Sequence, residues 1–288
     1  MTYSQADITV PYAVANFAEI RHKGYYYVDK TNYIPLLERY KAPVFLRPRR
    51  FGKSLLVSML AHYYDRNMAT QFKDLFGGTW IGEHPTNEHN QYLVVRYDFS
   101  TTSVASKKED IEKNFNAVNC SPLRTLVERN RDLFGDFKFR EDGNASNMLI
   151  EVCEFIASHN LPPLYILIDE YDNFTNQLLV VYKDSLYQDL TTGESFLRTF
   201  FKVIKAGIGE GTIRTCFCTG VLPVTMDDLT SGYNIAEMLT LKPEFTNLLG
   251  FTHEEAAQYL KYVINKYGPQ ASFEELWTLI LNNYDGYH

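Results

Sequence analysis

The run Arg47-Pro48-Arg49-Arg50-Phe51-Gly52-Lys53-Ser54 brings together the residue types that a phosphate ester needs. It has a glycine that lets the backbone come close, a lysine beside a hydroxyl, and three arginines. It follows the apolar run Pro43-Val44-Phe45-Leu46 and precedes Leu55-Leu56-Val57-Ser58-Met59-Leu60, so the spacing predicts a strand, a tight loop and a helix. At such a helix start the unpaired backbone N–H groups and the positive end of the helix dipole converge on an anion. Lys53 would reach the β- and γ-phosphates, and the Ser54 hydroxyl would ligate Mg2+. The general form of the motif is G-x-x-x-x-G-K-[ST], and Arg47 stands where its first glycine belongs. Alone, the run can also be read as a basic surface turn ahead of an amphipathic helix.

A second stretch narrows the choice. Leu164-Tyr165-Ile166-Leu167-Ile168 is a continuous apolar run, as a parallel strand covered on both faces requires, and it ends in Asp169-Glu170. Carboxylates at that end are costly to keep without a cation or donors, and the carboxyl ends of strands are where ligands bind in open α/β sheets. Asp169 would hold Mg2+ through its water shell, and Glu170 would orient or deprotonate an attacking water. Thr212 to Val221 repeats the strand pattern and finishes in Thr219. Thr219 would sense the γ-phosphate or hold the lytic water, or it would simply cap a turn.

These residues need a scaffold, and the rest of the chain has the pattern for one. Tyr92 to Phe99 reads as another core strand, and Ala236 to Leu241 as a last one. Helices are expected at Tyr33–Tyr40, with Asp29 or Thr31 as cap, from Ser54 through Tyr64, within 100–144, at Met148–Ser158, and at Phe196–Lys205. Phe72, Leu75, Phe76 and Trp80 anchor the polar stretch before Tyr92, and Tyr182 to Thr192 reads as an exposed excursion. Thr252 to Tyr284 is expected to be helical, with Thr252 as cap and Glu254-Glu255 against the helix dipole. The division follows: a core with its lead-in over 1–250, and the start of a helical lid over 251–288. The tyrosines Tyr25 to Tyr27 read as packing, or as neighbours of a nucleotide base.

Composition sets limits. With 45% hydrophobic and 15% aromatic residues the chain is a folding sequence, and 288 residues bury a large core. A net charge of -7 argues against holding nucleic acid by bulk charge, so any such contact would need a local basic patch. Cys120, Cys153, Cys216 and Cys218 lack paired C-x-x-C spacing, the histidines are scattered, and no zinc site is indicated. No leader pattern opens the chain and no apolar run approaches a bilayer span, so the expectation is a cytoplasmic protein without membrane contact.

The chain resembles a known family. Gly24-Tyr25-Tyr26-Tyr27-Val28-Asp29-Lys30-Thr31, the run Arg47 to Ser54, Leu167 to Asp172, Thr219-Gly220-Val221 with Pro223, Leu229 to Ile235, and Leu249-Gly250-Phe251-Thr252 together look like the AAA-ATPase-like family of bacterial proteins. That family carries the Arg-Pro-Arg-Arg-Phe-Gly-Lys-Ser form of the loop. The resemblance implies an α/β P-loop fold of the ASCE type, a central parallel sheet in the order 5-1-4-3-2 flanked by helices, plus a small C-terminal helical segment. It implies ATP and Mg2+ as ligands. The nucleotide would lie on Arg47, Pro48, Arg49, Arg50, Phe51, Gly52, Lys53, Ser54 and Leu55, and the metal on Ser54 and Asp169. Lys53, Glu170 and Thr219 would serve catalysis, releasing ADP and phosphate. Hydrolysis would drive or signal a conformational change to an attached or partner effector, and a switch with negligible turnover is the alternative. Members of the family continue into a nuclease-like domain of the PD-(D/E)XK type, so the expectation is that this chain holds the ATPase part alone. Arg49 or Arg50 would stabilise charge on the transferred phosphoryl, or brace the loop by pairing with Asp29, Asp172 or another carboxylate. Arg198 and Arg214 are candidates to reach a neighbour's site.

Overall fold

The computed structural model describes residues 9–102, 108–141, 143–173, 195–222 and 233–284. The expected excursion at Tyr182–Thr192, and Pro223 with Leu229 to Gly232, lie outside the described residues. Strands β1 (Pro43–Leu46), β2 (Leu93–Asp98), β3 (Leu164–Asp169), β4 (Ile213–Gly220) and β5 (Glu237–Met238) pair in parallel throughout. Their order is β2-β3-β4-β1-β5, which counted from the β5 edge is 5-1-4-3-2. Helices α1 (Phe17–His22), α2 (Lys53–Tyr64), α3 (Lys108–Arg129), α4 (Ala145–His159), α5 (Phe196–Glu210), α6 (His253–Tyr267) and α7 (Phe273–Tyr284) accompany the sheet.

Coverage on both faces explains why β1, and β3 as far as Ile168, are apolar at every position. Successive side chains point to opposite faces, and both faces are covered. Val44, Leu46, Ile166, Ile168, Cys216 and Cys218 pack with Phe115, Leu149 and Phe200 of α3, α4 and α5. Phe45, Tyr165, Leu167 and Phe217 pack on the other side with Phe17 of α1 and Leu56, Leu60 and Tyr64 of α2. Each such fully buried side chain contributes about 2 kcal/mol of transfer free energy. The four cysteines are buried thiols inside this packing. Among the described residues no helix is long and apolar enough to cross a membrane.

The register sets the working edge. Leu46 pairs with Gly220, Phe45 with Thr219, and Asp98 with Asp169, so the carboxyl ends of β1, β2, β3 and β4 lie together.

Several expectations need correction. The helix expected at Tyr33–Tyr40 is a 3-10 turn at Thr31–Tyr33 followed by a short helix at Ile34–Leu37, because the chain must turn again before β1. Asp29 does not cap it; one carboxylate oxygen accepts from Thr31 N and the other from Trp80 N. Trp80 is 42% exposed, with its ring stacked on His84, whereas its neighbour Ile81 is buried beside Leu75 and Phe76. The last strand is cut to Glu237–Met238, since beyond it the Thr240 hydroxyl accepts from Leu46 N in place of a strand backbone.

Candidate functional site

The loop from Arg47 to Gly52 leaves β1 and ends in the left-handed residue Gly52 (φ 93°), which opens α2. A side chain at that φ is strained, so the glycine here is a backbone requirement. Arg50 also takes a left-handed conformation (φ 70°). Lys53 is 5% exposed, and its ammonium donates to the carbonyls of Arg47 and Pro48, both at 2.9 Å, folding the lysine across its own loop. Burial pulls its pKa down, opposed by the carboxylates of Glu170, Asp169 and Asp172.

Arg47 turns away from the loop's concave side. Its guanidinium donates to the carbonyls of Leu46 (3.2 Å), Thr240 (3.3 Å) and Thr246 (3.5 Å) and lies over the Phe45 ring. The residue at the usual glycine position therefore ties the loop to the segment after β5. Phe51 and Gly250 close the same seam, with Gly250 N donating to Phe51 O, and Leu249 lies against Gly52. Pro48, Phe51, Ser54 and Leu55 are half-buried, and Arg49 and Arg50 are exposed. No described residue forms an ion pair with either arginine; the two carboxylates considered as their partners, Asp29 and Asp172, accept from backbone N–H groups instead.

Asp169, at the end of β3, is 2% exposed, and its Oδ1 has no hydrogen-bond partner among the described residues. Burial pushes its pKa up, while the Ser54 hydroxyl beside it and the Arg96 guanidinium pull it down. Glu170 follows in a left-handed conformation (φ 51°), and its Oε2 accepts from Asn173 Nδ2 at 2.8 Å. Asp172 accepts from the backbone of Val221 (3.0 Å) and Leu222 (2.7 Å), so the turn after β3 is pinned to the turn after β4. Gly220 makes that contact possible, because a Cβ there would stand 2.4 Å from Asp172 Oδ1. Thr219, 1% exposed, shares a sheet face with Phe217, and its Oγ1 has no hydrogen-bond partner among the described residues.

The structure thus brings Lys53, Ser54, Asp169 and Glu170 together, with Thr219 at the same edge on β4. Arg214 lies near the amino end of β4 and is held by Glu88 and Tyr92, and Arg198 sits in the first turn of α5. Arg96, 3.7 Å from Asp169 Oδ2, is near the carboxylates and absent from the sequence expectations, and Asn173, expected only to extend the polar edge, bonds Glu170. Arg96 had a signal, since a charged residue interrupts the apolar pattern of β2 two positions before a terminal aspartate.

The donor set fits a polyphosphate with a hydrated cation. Among the described residues no three His, Cys, Asp or Glu side chains converge into a protein cage. One buried carboxylate beside one hydroxyl suits an ion such as Mg2+ that keeps water and takes phosphate oxygens as ligands.

A family model described as Predicted AAA-ATPase matches residues 11–230, from ahead of α1 to beyond β4. The chain is also 26% identical over 256 residues to a protein described as "Uncharacterized protein in vnfD 5'region" of Azotobacter chroococcum mcd 1. That alignment covers 85% of this chain and 43% of the relative, so the chain spans less than half of the relative's length. On the extent of the family match, the chain belongs to the predicted AAA-ATPase family.

Proposed function

We propose that the protein is a P-loop ATPase that binds MgATP on Arg47–Leu55 and hydrolyses it to ADP and phosphate. Membership of a predicted ATPase family points to nucleotide binding and hydrolysis. The observation that carries the finer reading is the pair of buried, unpartnered oxygens, Asp169 Oδ1 and Thr219 Oγ1, at the sheet edge beside the start of α2. Polar atoms left so are costly unless a ligand completes them.

In this reading the first N–H groups of α2 and Lys53 bind the phosphates, with Lys53 exchanging its loop carbonyls for phosphate oxygens. Ser54 and Asp169 hold the cation, which when bound neutralises charge on the β- and γ-phosphates. Glu170 orients the attacking water and takes its proton, steadied by Asn173. Thr219 fixes the far side of the reacting phosphate. Arg47 is a brace. The bonds from Arg47 to Thr240 and Thr246, and the Phe51–Gly250 seam, give the loop a direct route to the segment that leads into α6. That route supports coupling of turnover to movement of α6.

The test pairs binding with turnover. Lys53→Ala is expected to abolish binding of a fluorescent ATP analogue. Glu170→Gln is expected to keep binding and lose hydrolysis; hydrolysis at the wild-type rate in Glu170→Gln would remove the catalytic role.

A further inference from the structure

We propose that Arg96 is the resident counter-ion of Asp169, occupying the metal's side of that carboxylate until a nucleotide brings Mg2+. The proposal rests on the MgATP reading above and adds a residue to it. Four observations carry it. Asp169 is buried and fixed at a strand end, with Oδ1 unpartnered and Oδ2 3.7 Å from an Arg96 guanidinium nitrogen. That separation is an ion-pair contact without the locked geometry of a short hydrogen bond. The Arg96 side chain is 41% exposed, so the guanidinium has solvent to withdraw into while the carboxylate stays in place. The β2–β3 register sets Arg96 opposite Leu167, whose ring of neighbours is the α2 face of the sheet, and Asp98 opposite Asp169, so Arg96 approaches from the face where Ser54 lies. Lys53 does not compete for the role, because its ammonium is bonded to the carbonyls of Arg47 and Pro48.

A guanidinium and a divalent cation cannot share that carboxylate without repulsion. Arg96 then does two things: it keeps the nucleotide-free site from holding a bare buried charge, and it sets the Mg2+ concentration at which nucleotide binds. It is a positioning residue, acting through Asp169.

The experiment titrates Mg2+ against binding of a fluorescent ATP analogue, and measures thermal unfolding without nucleotide or metal. Wild type is compared with Arg96→Gln and Arg96→Lys. Arg96→Thr, β-branched and suited to an edge strand, is made alongside so that one misfolded variant does not end the test. The neutral variants are expected to bind at a lower Mg2+ midpoint, by roughly twofold to fivefold, the range such an ion pair is worth. They are also expected to unfold at lower temperature when empty, and Arg96→Lys to stay near wild type in both. A Mg2+-dependent wild type with neutral variants whose midpoint is unmoved or raised overturns the proposal alone. A wild type that binds nucleotide without regard to Mg2+ removes the metal reading, and the proposal with it.

Discussion

Two residues of the site, Arg50 and Glu170, hold left-handed backbone conformations without being glycine. Each costs roughly 1–2 kcal/mol against an ordinary conformation, and such strain persists where the surroundings impose it. Arg50 is exposed and no described residue forms an ion pair with it, so its strain is not offset by a visible contact. Arg50→Gly is therefore expected to raise the stability of the nucleotide-free protein by about 1 kcal/mol in denaturant unfolding; a loss of stability would show that the Arg50 side chain holds the loop. Arg47 differs in kind, since its guanidinium is spent on carbonyls of β1 and of the segment after β5. The sequence raised the question of whether these arginines act on phosphate or brace the loop, and the contacts divide them: Arg47 braces, while Arg49 and Arg50 face solvent.

At the scale of elements, the two ends of the sheet do different work. At the carboxyl end the turn after β3 is hung on the end of β4, and Gly220 leaves no room for a side chain between them. Gly220→Ala is expected to cost about 1–3 kcal/mol and to displace the Asp169–Asp172 turn, read as a fall in melting temperature together with weakened nucleotide binding; an unchanged melting temperature would mean that the turn yields without cost. At the amino end Arg214 of β4 bonds Glu88 and Tyr92. Burial pushes the Glu88 carboxyl up, but the bonds from Arg214 and Tyr92 outweigh it and leave it below the usual glutamate range. A depressed carboxyl contributes stability that is full above its unfolded pKa and is lost as pH falls through the folded value. Glu88→Gln should therefore destabilise the protein at neutral pH, and the gap to wild type should shrink in unfolding curves taken below about pH 4; a gap independent of pH would assign the cost to packing. The main strands and the helices that flank them were legible because period and burial agree: β1 and β3 up to Asp169 are apolar, and α2 begins where Gly52-Lys53-Ser54 says it should. The short helix at Ile34–Leu37 and the clipped β5 were not, since both are ended by tertiary contacts that no local pattern carries. Arg96 interrupts the apolar pattern of β2 visibly, but its partner follows only from the register that sets β2 against β3.

The described residues form a five-stranded parallel sheet with helices on both faces, in a chain belonging to a predicted ATPase family. Its core is laid out so that the loop after β1 meets the ends of β3 and β4 on one side and the approach to α6 on the other. α6 in turn is fastened to the lead-in by Lys30, bonded to Glu255 at 2.6 and 2.7 Å, and by Tyr26 against Tyr259 and Tyr262. Bonded contacts thus run from the loop to the approach to α6, and from α6 to the lead-in. The central claim is hydrolysis at this site, and the most direct measurement is steady-state phosphate release from MgATP by wild type and Glu170→Gln, with nucleotide binding measured on the same samples. The account predicts equal binding and release by wild type alone. Equal binding with release at the same background level from both would contradict it, and would make the protein a nucleotide-dependent switch.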